Sequence, residues 1–451
     1  MLPEILSEIP GPRSRELIAE LARFESRNIT FFNDAFPVFW ERAEGTNVWD
    51  ADGNRFLDFT SGFGVCSLGH GATRDAMVEQ AAKLVHGLGD VHPSPLKARL
   101  CAELSRITFE RWRAGTARTI LGTSGSDAVE AALKTSLLHS GKPGVISFTG
   151  GYHGLGHGAL ETSGLPFFRD PFVSQLARFS VQLPYPHCFR CPFDRTEGFR
   201  LEGHEFPNCS TSCLEILHDR IDKTIRQREI GCILVEPIQG RGGDVVPPRD
   251  FLRMLREICN AHKILLVLDE IYTGFNRAGR FFACEHSDVV PDLICLGKAL
   301  TNGFPLSACV GRADIMDAWP RSTGEALHTS TFLGHPVGCA MALASIAEHS
   351  QLETATRARA TGQLLRTALQ DIPHSHLRGV GALIGLELTL PDGSPDPERA
   401  SRVVVNGLQS GLILLSGGPA GNVLSFTPPF SLSASEAEFL FAAVRLHAGA
   451  T

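Results

Sequence analysis

Short apolar runs that recur at intervals constrain this chain most. From about residue 118, RTILG (118–122), GVISF (144–148), GCILVEP (231–237), KILLVLDE (263–270) and DLICLG (292–297) alternate with amphipathic stretches such as SDAVEAALKTSLLHSG (126–141). Runs such as CILV and ILLVL are too short for helices and apolar at every position, so they suit strands covered on both faces. Strands of that kind alternating with helices predict an α/β fold with a mainly parallel central sheet and helices on both sides. Ligands of such sheets gather at the carboxyl ends of the strands, which is where chemistry is to be sought.

The flanks read differently. VWDADGNRFLDF (48–59) has the pattern of strand, Asp-Gly turn and strand. After residue 335, PVGCAMALASIAEHS predicts a long helix. GVGALIGLELTL predicts a strand pair, residues 397–410 a helix, and NVLSFTPPF a final strand. The expected organisation is a smaller α+β domain made from residues 1–64 and 336–451 around a large domain of residues 65–335.

Forty-two basic against 49 acidic residues leave a net charge of −7. No extended basic surface for nucleic acid is expected, and a small-molecule partner is. The opening MLPEILSEIPGPRSREL lacks the apolar core of a signal peptide, and no apolar run approaches membrane-spanning length, so a cytoplasmic location without membrane attachment is expected. Eight of the twelve cysteines are scattered singly. The other four, Cys188, Cys191, Cys209 and Cys213, form CxxC, 17 intervening residues and CxxxC, a spacing compatible with a four-thiolate zinc site, with free thiols or a disulfide-prone loop. No metal is assigned to them.

Three segments carry residues suited to one chemistry. In GTSGSDAVEAALK (122–134), a Gly-rich turn opens a helix that Ser126 or Asp127 can cap, with Glu130 close behind. Its free N–H groups suit an anion such as a phosphate near Gly125 and Ser126, or the turn is an ordinary helix start. It matches neither the GxxxxGK[ST] loop nor GxGxxG. Asp269 ends an apolar strand, where a buried carboxylate needs a cation; a protonated pyridine nitrogen would serve, and so would a turn it caps. Lys298 follows another apolar strand among Leu296, Gly297, Ala299 and Leu300; either desolvation there makes the amine nucleophilic enough to form an imine, or it is a solvated lysine at the sheet edge.

The motifs SGSDAVEAALK, FTGGYHG, EPIQGRGG, LDEIYTGFNRAGRFFACEH and LGKAL, in that order and with Asp269 and Lys298 separated by 29 positions, resemble those of the class III (ornithine and 4-aminobutyrate type) aminotransferases. The resemblance runs from about residue 10 to 445. It implies a homodimeric, pyridoxal-5'-phosphate (PLP) dependent transferase of fold type I, moving an amino group between an amine or amino acid and a keto acid or aldehyde. On this resemblance Lys298 carries the coenzyme as a Schiff base and shuttles the proton, and Asp269 pairs with the ring nitrogen. Gly125 and Ser126 hold the phosphate, while Tyr152 and Ile271 pack on opposite ring faces. Glu236 orders the site, and Thr331, in HTSTFLGHP, reaches the phosphate of the neighbouring subunit. Tyr272 is a coenzyme contact where many relatives have a Gln touching the phenolic oxygen of the ring; either its hydroxyl substitutes or the residue only packs. A racemase or epimerase on the same scaffold is the rival reading.

The chain also departs from that pattern. Ser425, in SFTPPF, stands where relatives of the ornithine and 4-aminobutyrate type have an arginine for a substrate carboxylate; Arg241, in GRGG, stands where they have that arginine's glutamate partner. The loss of both is coherent, because either alone would be a charge without its counterpart. Leu155 stands where 4-aminobutyrate enzymes have a second arginine. Arg241 is therefore a candidate carboxylate contact in its own right, and Phe63, in SGFGV, a candidate for lining the substrate pocket.

Overall fold

The computed structural model describes residues 1–30, 36–193 and 209–449. It divides into two compact units, one of residues 73–355 and the other of residues 1–72 and 356–451. These limits lie beyond the 64/65 and 335/336 boundaries expected from the sequence. The long helix Pro336–His349 buries Val337, Cys339, Met341, Ala342 and Ile346, and Cys339, Ala342 and Ile346 join the core of the larger unit, so the chain leaves that unit only after the helix ends.

The larger unit is built on a seven-stranded sheet. Its strands are β1 (Ala117–Gly122), β2 (Gly144–Phe148), β3 (Ser180–Leu183), β4 (Ile230–Val235), β5 (Leu265–Asp269), β6 (Leu293–Leu296) and β7 (Ser307–Arg312). Their spatial order is β1-β7-β6-β5-β4-β2-β3. β7 is antiparallel to both of its neighbours, and every other pairing is parallel. Every residue of β4, β5 and β6 is buried, as continuous apolar runs require.

Period-two alternation sends neighbouring side chains into different cores. Ile233, Val235, Leu266, Leu268, Ile294 and Leu296 pack with Leu217 and Ile221 of helix Cys209–Gln227 and with Leu255 and Ile258 of helix Phe251–His262. Cys232, Leu234, Leu265, Val267, Leu293 and Cys295 pack with Ala128, Val129, Ala131 and Ala132 of helix Gly125–Ser140. Each such leucine stabilises the fold by about 1.5–3 kcal/mol relative to exposure. The central strands β4, β5 and β6 therefore form a rigid floor with its one charged residue, Asp269, at a strand end.

The smaller unit holds two sheets. Trp40–Glu44, Asn47–Asp50 and Arg55–Asp58 form an antiparallel set, to which Leu412–Ile413 adds in parallel beside Leu57 and Asp58. The second sheet is antiparallel, with Leu383–Leu388 between Ser375–Val380 and Val423–Phe426, and Leu415–Gly417 at the far edge. Ser425 lies in this sheet, opposite Gly385 and Leu415. After the first sheet, Ser61, Gly62 and Phe63 take left-handed φ of 47°, 58° and 62°. The buried Asp58 carboxylate holds that turn, accepting from the N–H groups of Thr60 (2.8 Å) and Gly62 (3.1 Å) with His70 Nε2 at 2.8 Å. Phe63 is carried on the turn with its ring 53% exposed.

Among the described residues no helix is long and apolar enough to cross a membrane, and no group of three or more His, Cys, Asp or Glu side chains could hold a metal ion. The four-cysteine pattern falls partly outside the described residues, which include Cys188, Cys191 and Cys213 but not the side chain of Cys209.

Candidate active site

The carboxyl ends of β4, β5 and β6 bring three ionisable groups of the larger unit together. Asp269 closes β5 and is 4% exposed. One of its oxygens lies 2.9 Å from His153 Nδ1, and the other accepts the N–H of Ile271 at 3.1 Å. Glu236 follows β4 and is equally buried; it accepts the N–H of Tyr152 at 2.8 Å and that of Gly240 at 3.0 Å. Burial pushes its carboxyl up to about 7, against the downward pull of nearby His153 and of the two amides, while the Asp269 charge adds to the rise.

Lys298 comes two residues after β6 and opens a short 3₁₀ turn with a φ of 45°, in the left-handed region that side chains other than glycine seldom adopt. Strain of this kind persists only where the surroundings impose it, and it aims the side chain. Burial draws the amine below its ordinary value, with the Asp269 and Glu236 carboxylates acting in opposition. Its Nζ lies over the Tyr272 ring, 4.8 Å from the centroid.

The walls are built by close approaches at glycine. Helix Gly125–Ser140 begins at the carboxyl end of β1, and the N–H groups of its first turn have no acceptor within the helix. Its cap is Ser124, not Ser126 or Asp127: the Ser124 hydroxyl accepts the Asp127 N–H, and Asp127 completes a capping box. Ser126 lies inside the first turn, where its hydroxyl accepts the Gly156 N–H at 3.0 Å, and Glu130 accepts that of Ala159. Ile271 is wedged between Gly125 and Gly297; a Cβ at Gly125 would stand 2.9 Å from its Cδ1, and one at Gly297 3.2 Å from its Cγ2. The Tyr272 ring fills the space over Gly240, where a Cβ would approach Cδ1 to 2.5 Å.

An aromatic chain leads outward. Tyr152 meets Phe168 edge to face at 5.4 Å, and the Arg241 guanidinium stands over the Phe168 ring at 5.6 Å. The Arg241 charge reaches the Tyr152 hydroxyl, opposing the rise that burial imposes on it. Thr331 is exposed in the loop before helix Pro336–His349, and its carbonyl and that of Ser330 lie close to Gly89.

The geometry thus joins Lys298, Asp269, Glu236, Tyr152, Ile271, Tyr272, Gly125 and Ser126 around the strand ends, with Arg241 beside them through Phe168. Thr331 stands apart from them, while Phe63 and Ser425 belong to the smaller unit. Two participants were not singled out in the sequence. His153 follows Tyr152 in the quoted GGYHG motif, so a buried polar neighbour was signalled there; Phe168 has no comparable signal.

A model of the class-III aminotransferase family matches residues 31–445. The 4-aminobutyrate aminotransferase of Mycobacterium leprae is 34% identical over 442 residues, which cover 95% of this chain and 94% of that protein. The alanine/serine racemase of Pyrococcus horikoshii is 32% identical over 97% of this chain and 90% of its own. Among solved structures, the PLP-bound form of an amine transaminase from an uncultivated Pseudomonas species is similar with a TM-score of 0.84 at 28% identity, covering 95% of this chain and 98% of that one.

The packing of Tyr272 on Gly240 is open to a direct check. Gly240→Ala should lower stability by about 1–3 kcal/mol, because the added methyl meets a rigid ring. Adding Tyr272→Leu should restore part of the loss. Denaturation midpoints of the single and double variants measure both effects, and additive losses would mean that the two side chains do not meet.

Proposed function

The chain belongs to the class III aminotransferases, PLP enzymes that move an amino group from an amine or amino acid to a keto acid or aldehyde, and on that premise we propose which of its residues do the work. The observation that carries the assignment is the desolvated amine of half-buried Lys298, in the field of two buried carboxylates at the ends of three adjacent strands. The surrounding residues fit the coenzyme. The open first turn at Gly125 and Ser126 would take its phosphate, as helix N-termini take anions. Asp269, held by His153 and the Ile271 N–H, would keep a proton on its ring nitrogen. Ile271 and Tyr152 would flank the ring.

When bound, PLP supplies an electron-poor ring that accepts the electron pair left as a proton departs from the substrate carbon. Lys298 would be the amine joined to the coenzyme at rest. Once freed by substrate it would take that proton on Nζ and return it, a task that its lowered basicity suits. Glu236 would keep Tyr152 and Gly240 in place through their amides rather than react. Arg241, steadied on Phe168, would bind a substrate carboxylate. Thr331 would reach the phosphate bound by a second copy, which makes the working unit a homodimer.

Similarity to a racemase favours a second reading, in which the same carbon is reprotonated from the opposite face. A stoichiometric keto acid from the donor supports transfer. Loss of optical activity without an acceptor supports racemisation.

Borohydride reduction of the holoenzyme followed by peptide mapping should place the coenzyme on the peptide containing LICLGKAL, and Lys298→Ala should retain coenzyme without turnover. An adduct on another lysine overturns the assignment.

Arg241→Ala should lower kcat/KM for carboxylate-bearing donors about 10- to 100-fold while sparing amines without a carboxylate, the range expected for one bidentate contact. Equal losses for both donor classes would remove Arg241 from the substrate site.

Thr331→Val should weaken coenzyme retention by about 1–3 kcal/mol, the range for one hydrogen bond to a charged group, in an enzyme that sediments as a dimer. A fully active monomer contradicts the proposed role of Thr331.

A further inference from the structure

Tyr272 occupies a position that the reading above leaves without a chemical task. The glycine at 240 admits its ring, since any Cβ there would meet Cδ1 and Cε1 at 2.5 and 2.8 Å. On the other side, Lys298 Nζ stands over the ring 4.8 Å from the centroid. An aromatic face at this distance attracts a cation, and does so more strongly where water is excluded. We propose that the face of the Tyr272 ring holds the Lys298 ammonium while it carries a proton between substrate positions, which makes Tyr272 a positioning residue for the proton transfer.

The inference rests on the assignment of Lys298 as the proton carrier. In that step the substrate C–H bond breaks, its electron pair stays behind, and an N–H bond forms on Nζ; in the return step the N–H bond breaks and the proton goes back to carbon. The ammonium thus appears for part of the cycle at a place with little water to solvate it. Three groups face it: the carboxylates of Asp269 and Glu236, from the ends of β5 and β4, and the ring of Tyr272. Asp269 is engaged by His153 and the Ile271 N–H, and Glu236 by two amides, so both carboxylates have commitments that hold them in place. The ring face adds its negative potential to that of the two acids. The contact is to the ring face, so phenylalanine should substitute and an aliphatic residue should not.

The test uses the full-length enzyme freed of coenzyme. The rate at which a small acylating reagent labels Lys298, located by peptide mapping, is followed against pH in wild type, Tyr272→Phe and Tyr272→Leu. The ring stabilises the charged amine, so losing it should move the Lys298 midpoint down by about half to one pH unit in Tyr272→Leu. Tyr272→Phe should keep the wild-type midpoint. In the holoenzyme the acidic limb of the kcat profile should move in the same direction for Tyr272→Leu only. If Tyr272→Leu does not fold, Tyr272→Met, a flexible filler without a π face, takes its place. An unmoved midpoint in the aliphatic variants, or a Phe variant that shifts as they do, overturns the proposal. Borohydride reduction that places the coenzyme elsewhere than Lys298 instead overturns the assignment on which it rests.

Discussion

A carboxylate at the end of a strand with no solvent on either face must be satisfied by the protein itself, and the active end of the larger unit is organised around how Asp269 meets that demand. Its strand is buried throughout, so water cannot supply the missing hydrogen bonds. His153 and the Ile271 N–H supply them from a loop and from the turn that follows. The same turn drives Ile271 between Gly125 and Gly297 and lays the Tyr272 ring on Gly240. Satisfying one acid therefore fixes the positions of two walls.

Glu236 repeats the arrangement one strand away with a different electrostatic result. It has two amide donors, yet burial and the Asp269 charge leave its carboxyl at about 7. Lys298 faces both acids, and its basicity is set by the balance of desolvation against their charge. An amine in that balance can be neutral when it must accept a proton and charged when it must carry one.

The proposed substrate contact lies at Arg241, away from these three groups. The family's carboxylate-binding arginine and its glutamate are replaced by Ser425 and Arg241, and the structure gives Arg241 an aromatic support in Phe168. A guanidinium held over a ring loses less freedom when it binds a planar carboxylate.

The sheet was legible in the sequence because buried parallel strands leave a local signature, continuous apolar runs such as ILLVL between amphipathic helices. The positions of Asp269 and Lys298 were legible for a related reason, since Asp269 closes such a run and Lys298 follows one by two residues. The start of helix Gly125–Ser140 was legible to within two or three residues, the cap being Ser124 where Ser126 or Asp127 was expected. The partners of these residues were not. His153 meets Asp269 across 116 positions, and Glu236 takes its N–H from Tyr152 across 84. The Tyr272 ring finds its place only because Gly240, on the loop after another strand, leaves room for it. Such pairings follow from the spatial order β1-β7-β6-β5-β4-β2-β3, which brings the loop after β2 to the ends of β4 and β5. Local patterning records whether a residue is buried, and the sheet order decides what it is buried against.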